Sequence, residues 1–309
     1  LGFTAEQNMS EIRFDNRVAV ITGAGGGLGR SYAFLLAARG AKVVVNDLGG
    51  NVDGSGQSFS MADQVVHEIT AAGGQAVANY DSVSTPEGGE AIIQSALDAF
   101  GQVDIVINNA GILRDKSYPK MTPEEFGIVL DVHLKGAFYV TQPAFRVMKD
   151  RGYGRILMTS SAAGLFGNFG QTNYGSAKMG LVGLSNVVAV EGAKYNIKCN
   201  VIAPMALTRL SQDVMGPLAE FVDVGQVAPL VAYLCSEQCE LSHEIFSVGG
   251  GRFARAFVGV NPGWFAGRGT VPTPEQIRDH LDEIRDTSDF VVPTSAQDEI
   301  MLLFGKLQG

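Results

Sequence analysis

The chain has 309 residues, 46% of them hydrophobic and 18% charged, with 39 glycines and a formal net charge of −9. This composition excludes a disordered, collagen-like or disulfide-scaffolded chain. The negative field disfavours nucleic acid and anionic membrane surfaces as partners, because no run of five basic residues offsets it locally.

In chain order, residues 1–12 read as an amino-terminal stub without the basic and apolar segments of a secretion signal. Residues 13–250 alternate short β-branched runs with amphipathic stretches, the pattern of parallel strands joined by crossover helices. Strands are expected at 18–22, 42–46, 75–80, 103–108, 154–159, 198–202 and 244–248. Several are apolar throughout, as strands buried on both faces should be. The expected fold class is therefore α/β, a doubly wound (Rossmann) parallel seven-stranded sheet with helices on both faces. Residues 48–58, rich in Gly, Ser, Asn and Asp, are too many for an ordinary strand-to-helix turn. Residues 251–309 form an expected C-terminal helical extension, with helical patterns at 275–286 and 295–307. It is too short to bury a core of its own and should pack on the main core or on a partner subunit.

The first expected strand runs into Thr22-Gly23-Ala24-Gly25-Gly26-Gly27-Leu28-Gly29, followed by a helical pattern. Glycines allow a sharp turn and close backbone approach to a pyrophosphate, and a helix N-terminus supplies amide donors. Asp47 closes the second strand, where a carboxylate accepts hydrogen bonds from a ribose 2′-hydroxyl and repels a 2′-phosphate. NAD is therefore expected over NADP. Arg30 is the nearest alternative phosphate partner, although it falls in the first helical turn.

Tyr174 and Lys178 stand at i and i+4, one above the other on a helix face. A neighbouring ammonium favours phenolate, so Tyr174 is expected to act as a base near neutral pH. Such pairs are common on solvated helices. Ser161, just after the strand at 154–159, raises the significance of this one, since that edge of a doubly wound sheet is where ligands bind.

Together the glycine turn, Asn108-Asn109-Ala110-Gly111, Ser161 and Tyr174-x-x-x-Lys178 resemble the short-chain dehydrogenase/reductase family over about residues 13–250. The resemblance implies hydride transfer between a nicotinamide and a carbinol or ketone carbon. In it Tyr174 would exchange the hydroxyl proton, Ser161 would hold the substrate oxygen, and Lys178 would bind the nicotinamide ribose and lower the Tyr pKa. Gly23, Gly27, Leu28 and Gly29 would cradle the pyrophosphate. Asp81 and Ser82 would lie near the adenine, and Asn109, Ala110 and Gly111 would steady the cofactor side. Thr208, after Pro204, would approach the carboxamide. His133 stands where the family usually has the Asn that holds a proton-relay water. It is a catalytic candidate through its side chain or only through its carbonyl.

A closer likeness, carried by Asn46-Asp47-Leu48-Gly49-Gly50, the run from Ala76 to Val83, Val132-His133-Leu134-Lys135-Gly136, the run from Gly167 to Gln171 and the tail, is to the (3R)-hydroxyacyl-CoA dehydrogenase units within that family. It implies oxidation of 3-hydroxyacyl-CoA to 3-ketoacyl-CoA, with fatty or steroidal acyl groups, and activity on steroid 17β-hydroxyls. Arg114, Lys116, Lys120, Arg209, Arg252, Arg255 and Arg268 are candidate CoA phosphate partners. The alternatives are a 3-ketoacyl reductase of synthesis, which Asp47 opposes, and a non-catalytic NAD-binding scaffold, which the intact Ser161, Tyr174 and Lys178 oppose. Small residues along the helix after Tyr174 (Gly180, Gly183, Ser185, Ala189, Gly192) fit the family's usual subunit interface, so a homodimer or homotetramer is expected. Three cysteines, Cys199, Cys235 and Cys239, are too few for a disulfide framework. No apolar stretch approaches the ~18 residues that span a bilayer. A cytoplasmic location without a membrane partner follows, peroxisomal only if the chain is part of a larger enzyme. Cys235, Cys239 and His243 recur every fourth residue across an expected helix end, so no metal is expected.

Overall fold

The computed structural model describes residues 11–56, 58–209 and 216–308. It divides into two compact units, Leu1–Arg255 and Ala256–Gly309. In the first, the strands are β1 (Val18–Thr22), β2 (Lys42–Asn46), β3 (Gln75–Asn79), β4 (Ile105–Asn108), β5 (Gly154–Thr159), β6 (Ile197–Pro204), β7 (Ile245–Gly249) and β8 (Arg252–Ala256). They form one sheet in the order β3-β2-β1-β4-β5-β6-β7-β8, parallel from β3 through β7. The order reverses between β1 and β4, which opens a crevice at the C-terminal ends of those two strands.

The eighth strand was not among the seven expected. Gly250 and Gly251, with φ of 58° and 76°, make a two-residue turn after β7, and only a glycine pair enters it without strain. So short a connection folds the chain back antiparallel. Strand β4 begins two residues later than expected. The buried Asp104 carboxylate accepts the Val18 N–H at 2.8 Å and pairs with Arg17, taking the place of a ladder bond.

Helices α1 (Gly27–Ala38), α2 (Ser60–Ala71), α3 (Pro86–Phe100), α4 (Pro123–Leu130), α5 (Gly136–Arg151), α6 (Ala162–Phe166), α7 (Thr172–Gly192) and α8 (Ala228–Cys235) connect the strands. Their apolar faces close a core that includes Ile21, Leu36, Val43, Ile69, Ile107 and Leu157, all essentially without solvent contact. The start of α4 is set by the sequence Thr122-Pro123-Glu124-Glu125, in which Thr122 and Glu125 cap each other's backbone N–H reciprocally. Between α4 and α5 the residues Asp131–Lys135 make a π-helical turn, a feature that often marks a functional position. His133 lies in it.

The second unit contains α9 (Pro274–Asp279), α10 (Leu281–Arg285) and α11 (Ala296–Gln308). The helical pattern at 275–286 is thus two helices. They are interrupted at His280, whose ring stacks on Trp264 with centroids 4.0 Å apart. Asn261 Nδ2 donates to the Ile284 carbonyl at 2.9 Å, and Val260 bridges Val291 antiparallel. None of its described residues is buried.

Candidate active site

The glycine turn sits between β1 and α1. A Cβ at Gly23 would stand 2.8 Å from Ala110 Cα, and one at Gly29 would stand 2.4 Å from the Gly23 carbonyl. No side chain fits at either position, because Ala110, the Asn109 side chain and the turn itself fill that space. Asp47 holds this turn: its Oδ2 accepts the Gly25 N–H at 2.8 Å and its Oδ1 accepts the Gly49 N–H at 2.7 Å. The carboxylate retains lone pairs beyond these two bonds. Arg30, the alternative phosphate partner, is occupied elsewhere, paired with Glu68 and lying over the Phe34 ring.

Opposite the turn, Asn109 Nδ2 donates to the Thr22 and Gly23 carbonyls, both at 3.0 Å. Thr22 Oγ1 in turn accepts the N–H groups of Asn109 and Ala110. The segment after β4 is thereby locked to the glycine turn. Asp81 is held by the buried Asn46–Asn79 pair, through the Asn79 side chain and Asn46 Nδ2. Ser82 shares a hydrogen bond with Ser84. Leu28 packs on the core, and Thr208 lies 3.4 Å from where a Gly27 Cβ would be, which brings the loop after Pro204 against the phosphate side.

Ser161 caps α6 at the end of β5, its oxygen accepting the Ala163 N–H at 3.2 Å. Tyr174 and Lys178 rise from the first two turns of α7. The structure thus brings together the three residues singled out in the sequence. The electrostatics differ from expectation. Burial raises the Tyr174 pKa, and the hydrogen bond with Ser161 only partly offsets this. Lys178 is the group that moves down, to about 7, because burial penalises its charge. Its Nζ lies 5.4 Å from the Tyr174 ring centroid and donates to the Thr159 carbonyl at 2.6 Å. The expected lowering of the tyrosine by the lysine is therefore corrected: the ammonium is spent on a backbone carbonyl, and burial dominates the phenol.

His133 is 3% exposed, and its ring meets the Tyr174 ring edge-on at 5.2 Å. Its Nε2 lies 3.1 Å from the Ile112 nitrogen and 2.9 Å from the Ile112 oxygen, while Nδ1 has no hydrogen-bond partner. Burial, helped by Lys178, holds its pKa well below 6.5, so the imidazole is neutral. His133, Lys178, Asn108, Ala110 and Thr22 line one small cleft. Gly111 is required beside it, since a Cβ there would fall 2.3 Å from His133 Cε1.

Of the candidate CoA cations, Arg114 donates to the Asp53 carbonyl, Lys116 faces Glu125 at 4.0 Å, Arg252 donates to Ser247 and Arg255 pairs with Glu244. Cys235 ends α8, while His243, at φ 68°, precedes β7. Sequence reading placed Thr22 in the glycine turn without its hydrogen-bonding role, and it missed the wholly buried Asn173, whose side chain binds the segment after β4. Both roles depend on partners distant in the chain, Ala110 for Thr22, and Arg114 and Glu125 for Asn173.

The profile of the family described as short chain dehydrogenase matches residues 17–215. The mouse protein named peroxisomal multifunctional enzyme type 2 is 50% identical over 291 residues, 94% of this chain and 39% of its own length. The structure of full-length peroxisomal multifunctional enzyme type 2 from Drosophila melanogaster superposes with a TM-score of 0.81 at 41% identity, covering 96% of this chain and 50% of that one. A short chain dehydrogenase from Mycobacterium avium superposes with a TM-score of 0.77 at 40% identity, covering 88% of this chain and 97% of that one. The chain therefore spans less than half the length of the mouse relative and nearly all of the mycobacterial one. Profile, identity and superposition agree with the glycine turn and the Ser161, Tyr174 and Lys178 grouping: this chain belongs to the short chain dehydrogenase family and is an oxidoreductase of CH–OH groups.

Proposed function

We propose that the protein is an NAD-dependent dehydrogenase that oxidises (3R)-3-hydroxyacyl-CoA esters to 3-ketoacyl-CoA esters. The observation that carries this reading is the grouping of Ser161, Tyr174 and Lys178 at the C-terminal edge of the sheet, beside a glycine turn whose neighbour is the carboxylate of Asp47. The side-chain-free cradle fits a dinucleotide, with Gly23, Gly27, Leu28 and Gly29 on the pyrophosphate and Asp47 on the ribose hydroxyls. Asp81 and Ser82 would face the adenine, and Asn109, Ala110, Gly111, Pro204 and Thr208 the nicotinamide half. NAD, when bound, supplies the hydride acceptor.

Tyr174 takes the proton of the 3-hydroxyl, Ser161 donates a hydrogen bond to the same oxygen and lowers the cost of the phenolate, and Lys178 binds the ribose hydroxyls. His133 stays neutral and props Tyr174 from beneath. The substrate class is supported by the resemblance to (3R)-hydroxyacyl-CoA dehydrogenase units and by 50% identity to a multifunctional peroxisomal enzyme. Asp47 favours NAD over NADP and oxidation over reduction. The exposed Met179, Val187 and Val190 of α7 support self-association into a homodimer or homotetramer, and three free thiols support a reducing compartment such as the cytoplasm. Among the described residues no helix is long and apolar enough to cross a membrane.

The test is NADH formation with a panel of (3R)- and (3S)-hydroxyacyl-CoA esters, one of them steroidal, and 17β-hydroxysteroids. The highest kcat/KM is expected with a (3R)-ester. Turnover of steroids alone, or of none of the panel, overturns the reading.

A further inference from the structure

Asn173 is completely buried at the start of α7, and its side chain binds three backbone groups, two of them outside α7 and one the N–H of the next residue. Nδ2 donates to the Arg114 carbonyl at 2.8 Å, in the segment after β4, and to the Glu125 carbonyl at 3.0 Å, in α4. Oδ1 accepts the N–H of Tyr174 at 2.7 Å. That N–H is one of the four at a helix start that have no intrahelical acceptor, so the bond sets the backbone from which the phenol projects.

We propose that Asn173 is a positioning residue for the proton transfer at Tyr174, a role that rests on the function proposed above. The geometry favours positioning over general stability. The elements that Asn173 joins are already tied nearby: Gln171 Nε2 donates to Asp115 at 2.7 Å and Lys116 N–H donates to the Gly170 carbonyl at 2.9 Å. What these links do not reach is the Tyr174 N–H itself. Arg114 continues the line outward, its Nε on the Asp53 carbonyl at 2.8 Å, so the tyrosine backbone is referenced to the loop that follows Asp47. The hydroxyl of Tyr174 must stay within reach of Ser161, whose side chain offsets the rise of its pKa. A small rotation of the first turn of α7 would break it, and misplacement by about 1 Å costs on the order of 100-fold in rate.

The experiment compares Asn173→Ala, which removes all three bonds, with Asn173→Ser, which leaves an oxygen for the Tyr174 N–H but is too short for both carbonyls. In the folded Ala variant kcat is expected to fall about 100-fold, with NAD affinity near wild type and the acid limb of the kcat profile moved to higher pH. The Ser variant should lie between the two. A residue that only stabilised the fold would lower the melting temperature and leave the pH profile of the folded enzyme in place. The second readout needs no substrate: in fluorotyrosine-labelled protein the ¹⁹F resonance of Tyr174, assigned by its loss in Tyr174→Phe, should titrate at higher pH in both variants. Wild-type enzyme silent on every alcohol, with Asn173-dependent titration of Tyr174, overturns the functional reading alone. Native turnover, pH profile and titration in the Ala variant, or in the Ser variant where Ala does not fold, overturn the role of Asn173.

Discussion

Lys178 and Tyr174 share one face of α7, yet the lysine directs its hydrogen bond to the Thr159 carbonyl, 2.6 Å away, rather than to the phenol. The consequence is a buried ammonium with one carbonyl for company, and its pKa falls to about 7.

The lysine gives a stability signature. Between pH 7 and 10.5 the unfolded chain holds a proton on Lys178 that the folded one does not, so stability should rise with pH across that window and the penalty is full below it. The shift corresponds to on the order of 5 kcal/mol at most. Urea midpoints from pH 7 to 10 should climb in the wild type and lose that component in Lys178→Met. A slope identical in the two proteins would show that the group titrates normally.

Tyr174→Phe tests the chemistry with the smallest change. It removes the proton acceptor but keeps the ring that meets His133 edge-on. Turnover should fall by about 10³-fold or more, in the upper range for a general base, while fluorescence titration gives an unchanged Kd for NAD. Retained turnover would remove Tyr174 from the mechanism.

Asp47 holds the glycine turn, and in the proposed function it also binds the cofactor ribose. Asp47→Ser should cut kcat/KM for NAD by about 10- to 100-fold, the worth of hydrogen bonds to a charged group, and bring NAD and NADP close to parity. It should also lower the melting temperature, because the N–H groups of Gly25 and Gly49 lose their acceptor. A wild type that uses NADP as well as NAD would contradict the assignment.

His133 predicts acid sensitivity. Its pKa is depressed in the fold, so the unfolded chain gains the proton first and stability is lost as pH falls below 6.5. His133→Asn should flatten that limb between pH 6.5 and 5 in thermal melts. His133→Ala with an unchanged rate and pH profile would restrict the position to a backbone role. Gly111→Ala should destabilise by about 1–3 kcal/mol through overpacking, since its methyl group would overlap the imidazole.

Strands β1, β2 and β5 and the glycine turn were legible in the sequence, residue for residue at the strand boundaries, because a run of buried apolar residues ending in glycine is a local property. So was the grouping of Ser161, Tyr174 and Lys178, since their spacing along strand and helix implies one edge of the sheet. The eighth strand was not. Its exposed, alternating RFARA carries no burial signal of its own, and only the glycine pair before it turns it back onto β7. The protonation of the site was equally beyond a sequence reading. Proximity of Lys178 to Tyr174 follows from helical spacing, but whether the ammonium meets the phenol or the Thr159 carbonyl depends on a strand 19 positions away. Asn173 looks like an ordinary polar residue until folding buries it, and the depressed pKa of His133 likewise comes from burial. Sequence alone determined the fold class and which side chains are gathered, because periodicity and motif spacing are local. Tertiary structure decided their charge states and orientation, because burial and hydrogen-bond partners are set by chain segments that meet only in the folded protein.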